Sequence, residues 1–306
     1  MKSFRLLGVA AGLLLLAAST GRADEMRYAQ WQGQVQTGDM PELLKNLRTL
    51  TDQAERDKAA NPTFLADLRA MTNEYENRLR WPVRLLYDDF RDGEFTSNPT
   101  WTVVAGDWRV DNRGGAPALT SRVRNRGQSN QGSNSGNTAN QLAGILGTLL
   151  NQQNGQSQQN QQSPDQPATI VVPVAIPDQF LIRVEMTSRE GGGQFSFGPY
   201  AGQRAQRSYQ LAYSPNSANG LTLSRVSDRG SQVLGMSRSA IRLEDNQSHF
   251  LEWKRGPGGR MTVALDGRPV IEVTDADIRR PFNGFLMMNS GGSYAIRSVA
   301  INGTNQ

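Results

Sequence analysis

The run Phe250-Leu251-Glu252-Trp253-Lys254-Arg255 ends at Pro257-Gly258-Gly259, and Arg260–Leu265, Asp266-Gly267 and Arg268–Val273 follow directly. Each run is short, rich in β-branched or aromatic residues, and bounded by turn formers, which is the pattern of strands. Asp-Gly between two such runs is a strong hairpin signal, because a type I′ turn needs positive φ at both central residues. The three runs are therefore expected to form an antiparallel meander. Gly284–Asn289 and Tyr294–Asn302, parted by Ser290-Gly291-Gly292, add two more strands. Working back along the chain, Phe180, Ile182, Val184 and Met186 face one way while Arg183, Glu185 and Thr187 face the other. Tyr209, Leu211 and Tyr213 repeat the alternation. From Leu85 onward the texture is that of a mainly β sandwich or barrel.

Upstream of Leu85 the period changes from two to that of a helix. Asp39-Met40-Pro41-Glu42 has a capping residue, a proline for the first turn and an acid three residues on. Leu43, Leu47, Leu50 and Ala54 follow at helical spacing. A second start at Asn61-Pro62 leads into Phe64, Leu68, Met71, Tyr75 and Leu79, and Pro82 ends it. Residues 24–84 are thus read as an antiparallel helical hairpin that buries its apolar stripes within the chain.

Composition narrows the chemistry. The chain has 306 residues, no cysteine and one histidine, His249. Disulfides, thiolate zinc sites, thiol nucleophiles and multi-histidine metal sites are excluded. Ser-His-Asp chemistry would have to use His249 as its base, whereas a histidine just before a strand is commonly a surface residue. Mean hydropathy of -0.55 argues against a polytopic membrane protein. Met1-Lys2-Ser3-Phe4-Arg5, the apolar Leu6–Ala18 and the small residues of Gly21-Arg22-Ala23 have the order of a secretory signal peptide, residues 1–23, too short in its apolar part to span a bilayer. Export to a periplasm or the medium is expected, with no transmembrane segment once the leader is removed. Lys2, Arg5 and Arg22 lie in that leader, so the remainder is close to neutral. A scattered, near-neutral charge is no footprint for nucleic acid.

Tyr87-Asp88-Asp89-Phe90-Arg91-Asp92-Gly93, then Trp101, then Gly106-Asp107-Trp108-Arg109-Val110 resembles the opening of concanavalin A-like (LamG-like) jelly-roll domains. Phe282-Asn283-Gly284-Phe285, Asn289 and Tyr294-Ala295-Ile296-Arg297-Ser298-Val299 are similar to their final strands. The 3-keto-disaccharide hydrolase-like branch is nearest in texture. The resemblance spans about residues 85–303 and implies two antiparallel sheets, often with a glycan on one face. Its superfamily includes lectins, hydrolases and adhesive modules, so the fold alone does not choose a function.

Residues 125–167 interrupt this region, within an overall 85–306 sandwich. They are dominated by Asn, Gln, Gly and Ser, with Asp165 the only acid, a composition expected to be disordered. Within the segment, Leu142, Ile145, Leu146, Leu149 and Leu150 form an amphipathic stripe. These five are partner-binding candidates, and the cover they need is the chain's own sandwich, another protein or a membrane surface. Lipid is disfavoured, since the opposite face carries no lysine or arginine.

For catalysis, the resemblance to laminarinase-like hydrolases implies a Glu-x-Asp-x-(x)-Glu run on one strand, and the chain lacks it. Glu272 and Asp275 fall on opposite faces by alternation. A hydrolase would have to draw a carboxylate pair from separate strands, and Glu185 with Glu252 is the best such pair. With Arg183 and Lys254 they would make either a polar floor for a sugar or cross-strand ion pairs on a solvated sheet. Tyr200, in Gly198-Pro199-Tyr200-Ala201-Gly202, is the candidate for stacking on a sugar ring; Trp101, Trp108 and Trp253 read as core. Asp88-Asp89 and Asp275-Ala276-Asp277 offer oxygens for a structural calcium, but turn or cap roles are commoner; no cofactor is expected. The reading is an exported, non-catalytic module for a glycan or an envelope protein, with a hydrolase as the alternative.

Overall fold

The computed structural model describes residues 40–112, 115–123, 167–202, 207–227, 229–278 and 281–304. The leader 1–23 and almost all of the 125–167 insert, with its Leu142–Leu150 stripe, lie outside the described residues. Two helices come first, α1 (Met40–Arg56) and α2 (Pro62–Arg80). The first half of the sheets is β1 (Val83–Asp88), β2 (Thr102–Ala105), β3 (Trp108–Asp111), β4 (Ala118–Val123), β5 (Ala168–Ile176), β6 (Phe180–Glu190) and β7 (Phe195–Ala201). The second half is β8 (Arg207–Tyr213), β9 (Leu221–Ser227), β10 (Gly230–Met236), β11 (His249–Arg255), β12 (Arg260–Leu265), β13 (Arg268–Thr274), β14 (Phe282–Asn289) and β15 (Gly292–Gly303).

These strands build two antiparallel sheets in a jelly-roll sandwich. One has eight strands, in the order β13-β12-β11-β6-β15-β4-β3 with β1 paired to β15. The other has seven, in the order β10-β9-β8-β7-β14-β5-β2. The meander read from residues 250–273 is present as β11-β12-β13, with Leu251 opposite Leu265 and Met261 opposite Val273. Asp266 and Gly267 both take positive φ, 49° and 78°, as a type I′ turn demands.

Alternation decides what fills the space between the sheets. Ile182, Val184 and Met186 of β6 are fully buried against Phe195 and Phe197 of β7, Tyr209 and Leu211 of β8 and Phe285 and Met287 of β14 in one continuous core. Phe180 of β6 meets two rings edge to face, Trp253 of its own sheet at 5.4 Å and Phe282 of the facing sheet at 5.9 Å. Trp101, Trp108 and Trp253 all belong to this core.

The helices form a hairpin. Asn61 caps α2 by accepting from the Thr63 N–H at 2.8 Å, beside Pro62 in the first turn. Leu44 and Thr51 of α1 and Leu65 and Thr72 of α2 are buried. Arg69 ties the pair by bonding Asp52 at 2.7 Å and Glu55 at 2.6 Å. The stripe read from the α2 sequence faces outward instead: Phe64, Met71, Tyr75 and Leu79 are each about half exposed. The reason is what α2 rests on. It lies on the outer face of the eight-stranded sheet, a charged surface, and it meets that surface with its polar edge, Glu74 and Asn77. Among the described residues no helix is long and apolar enough to cross a membrane.

Candidate functional site

The four residues of the expected polar floor all lie on β6 and β11 of the eight-stranded sheet. Arg183, Glu252 and Lys254 stand together on the outer face of the eight-stranded sheet, because β6 and β11 pair with Arg183 opposite Glu252. Arg183 Nε donates to Glu252 Oε2 at 2.8 Å and Lys254 Nζ lies 2.7 Å from Glu252 Oε1. The helical hairpin then closes over them. Arg183 also donates to Glu74 at 2.5 Å, and Asn77 Nδ2 donates to Glu252 Oε2 at 3.0 Å. Glu252 is thereby bound at both oxygens, with its side chain only 15% exposed. Glu185, opposite Phe250, is engaged separately: its carboxylate accepts from Ser248 Oγ at 2.7 Å and Ser298 Oγ at 3.3 Å. The cluster reads as a docking joint for α2.

Tyr200 sits on the other sheet, on the outer face of β7. Its ring lies across Gly284 of β14, where a Cβ would come within 2.4 Å of the ring. It packs against a small apolar cluster of Val171, Val226, Leu286 and Met288. Burial pushes its phenol above the ordinary value. The calcium candidates are likewise engaged by the protein. Asp88 accepts from the Phe90 N–H at 2.9 Å and from Trp101 Nε1 at 2.8 Å. Asp275 accepts from Tyr209 OH and Arg225 Nη1, both at 2.5 Å. Burial, reinforced by Asp275, pushes the Tyr209 phenol up to about 12. Among the described residues no cluster of three or more His, Asp or Glu side chains forms a metal site.

An open pocket of about 350 Å³ lies at one end of the sandwich. Three connections line it: Gly191 from the β6–β7 turn, Pro215 and Asn216 from the β8–β9 turn, and Arg242, Glu244 and Asp245 from the β10–β11 loop. Glu244 is held rigidly. Its carboxylate accepts from Tyr213 OH at 2.8 and 2.9 Å and from Ser188 Oγ at 2.7 Å. Tyr213 OH in turn accepts from the Leu243 N–H at 2.9 Å. Burial, helped by Glu244, pushes the Tyr213 phenol up, so it stays a donor to the carboxylate. Gly191 makes the approach possible, since a Cβ there would sit 3.2 Å from the Glu244 carboxyl. No local sequence signal marks this pocket, because its residues come from three loops with no shared period.

His249 borders this end as a clamp. Its Nδ1 lies 2.8 Å from Asp266 and its Nε2 lies 3.0 Å from Asp245, which also accepts from the Gln247 N–H. Burial works to lower its pKa, but the bonds and charges of Asp266 and Asp245 outweigh it and raise the value above the ordinary one. A group with a raised folded pKa contributes stability in full below its unfolded pKa and loses it as pH rises through the folded one. The wild-type advantage over His249→Gln in urea midpoint is therefore expected to be full below about pH 6.5 and to fade as pH rises above it. Both carboxylates are nearly half exposed, which keeps the effect small. An advantage that grows with pH would contradict the clamp.

No protein-family profile matches the chain, and no curated protein sequence matches it. Several solved structures are similar to it over part of the chain. A carbohydrate-binding module, CBM66, from Bacillus subtilis is 14% identical with a TM-score of 0.43, over 66% of this chain and 94% of that one. A Bacillus subtilis protein with a galectin-like fold is 11% identical with a TM-score of 0.46, over 74% and 99%. A glycoside hydrolase family 16 endo-glucanase from Bacteroides ovatus is 11% identical with a TM-score of 0.46, over 71% and 99%.

Proposed function

We propose that the chain is an exported, non-catalytic β-sandwich module that binds a glycan of the cell envelope or its surroundings at the pocket around Glu244. The observation that carries this reading is the fixed Glu244 carboxylate at an open pocket that also presents Arg242, Asp245 and Asn216. Sugar hydroxyls are donors and acceptors at fixed spacing, and a rigid carboxylate beside a guanidinium and an amide matches them. The volume falls at the small end of ligand pockets, suited to a terminal sugar unit rather than a long chain. The leader pattern of Met1–Ala23 supports export. Against hydrolysis by the Glu185–Glu252 pair stands Glu252, whose two oxygens are taken by Arg183, Lys254 and the Asn77 of the covering helix.

Glycan-array screening followed by titration calorimetry tests the reading. Glu244→Gln is expected to weaken binding of the best glycan by about tenfold or more, since it removes charge from hydrogen bonds worth about 1.5–3 kcal/mol each. Glu185→Gln is expected to leave that affinity unchanged. Absence of saccharide binding, or cleavage of an oligosaccharide that Glu244→Gln abolishes, would overturn the non-catalytic module.

A further inference from the structure

The outward face of the seven-stranded sheet is built as an interior. Ser208, Gln210 and Ala212 of β8 alternate with core residues and so point away from the sandwich, as do Leu286 and Met288 of β14 and Val171 of β5. The outer face of a two-layer sandwich is open to water unless a third layer covers it. The helical hairpin is bonded to the other sheet, through Glu252, Arg183 and Asn302. Yet Leu286 is 0% exposed, Met288 2%, Val226 3% and Val171 6%. Ser208 is 0% exposed, Ser196 1% and Gln210 4%. Ser196 Oγ, Ser208 Oγ and Gln210 Nε2 find no hydrogen-bond partner among the described residues. Register places these groups side by side: Ser208 opposite Val226 and Tyr200, Leu286 opposite Val171, Met288 opposite Ser196 and Thr169.

We propose that the chain's own segment Leu142–Leu150 seats on this face, with Leu142, Ile145, Leu146, Leu149 and Leu150 against Val171, Val226, Leu286 and Met288. Chain path, length and chemistry all favour this occupant. Residues 124–166 connect β4 in the eight-stranded sheet to β5 in the seven-stranded one, so they arrive at Thr169 and Val171 on the very face to be covered. The link from 151 to 167, at roughly 3.3 Å per residue, is long enough to cross a sheet whose strands lie about 4.8 Å apart. The face pairs apolar side chains with neutral polar ones, and the outward positions of β5, β7, β8 and β14 carry no charged residue. The segment matches it: apolar on one stripe, with Asn140, Gln141, Thr148 and Asn151 as partners for the orphaned serines and Gln210. A highly charged protein partner would leave its own charges unpaired here.

The chain has no cysteine, so a single introduced thiol reports on the face without interference. In the full chain, Ser208→Cys is expected to react with a thiol reagent at least 100-fold more slowly than the exposed Ser239→Cys. Changing Leu142, Ile145, Leu146, Leu149 and Leu150 to serine in the Ser208→Cys background is expected to raise its rate at least tenfold. Fast labelling of Ser208→Cys in the parent would overturn the proposal by showing an open face. Protection that survives the five serines would assign the cover to another segment. Protection that falls on dilution would assign it to a second copy. Should the five-serine variant fail to fold, Leu146→Cys with Val226→Cys decides instead. An intramolecular disulfide under mild oxidation supports the seating, and none, or only intermolecular products, refutes it.

Discussion

Arg255→Leu is expected to lower stability by about 3–5 kcal/mol. Arg255 ends β11 in an inward position, following Leu251 and Trp253, and is 2% exposed. Its guanidinium caps the open end of the core by donating to three backbone carbonyls, those of Asp178, Asp275 and Ile278. Its plane also lies 5.5 Å from the centre of the Tyr209 ring. The carbonyls belong to the β5–β6 and β13–β14 connections, and the Tyr209 hydroxyl of β8 also reaches that of Asp275. Leucine would fill part of the volume but leave these acceptors dry, at about 1–3 kcal/mol apiece where water cannot enter. For a domain of this size the melting temperature should fall by on the order of 10 °C. Arg255→Lys should lie between the two, because an ammonium reaches one or two carbonyls but not all three of a planar fork. Thermal and urea unfolding measure both variants. A leucine variant within about 1 kcal/mol of wild type would show that the carbonyls are hydrated and the end of the core is open.

Arg255 also marks where pattern reading stops. Alternation through Leu251 and Trp253 places residue 255 inside, while its side-chain type places it outside; only the carbonyls of two distant loops resolve the conflict. The strands themselves were legible because period two and the Asp266-Gly267 turn are local properties, carried by adjacent residues. The same holds for the start of α2 at Asn61-Pro62. Which side of α2 faces inward was not legible. Periodicity shows that Phe64, Met71, Tyr75 and Leu79 share a line, but the line that docks is chosen by the surface beneath, and that surface displays Arg183 and Glu252. The pocket around Glu244 escaped for a related reason: Gly191, Pro215 and Arg242 become neighbours only when three strand ends meet. Conversely, Glu185 and Glu252 were readable as sharing a polar face, and the helix lying across that face was not.

That covering helix gives the second large effect. Glu252→Ala is expected to destabilise the chain by about 2–4 kcal/mol, because one carboxylate joins three donors from two layers. Arg183 and Lys254 would lose their common counter-charge in a half-buried site, and Asn77 would lose its anchor on the sheet. Arg183 keeps Glu74, so the guanidinium is not left bare, which limits the loss. Glu252→Gln should cost less, about 1–2 kcal/mol, since the amide oxygen still accepts from Arg183 while its NH₂ group faces Lys254 or Asn77 unfavourably. Glu185→Gln should stay within about 1 kcal/mol, because Ser248 and Ser298 donate equally well to an amide oxygen. Limited proteolysis separates local from global effects: in Glu252→Ala the hairpin should be cut faster after Arg56 and Lys58 while the sandwich survives. A double-mutant cycle between Arg183 and Glu252 should give a coupling of at least about 1 kcal/mol. The glycan affinity of a folded Glu252→Ala should match wild type, since the pocket lies in the loops beyond the strand ends. Stability unchanged with saccharide binding abolished would reverse the assignment, making Glu252 a ligand residue and the hairpin a cover over the site.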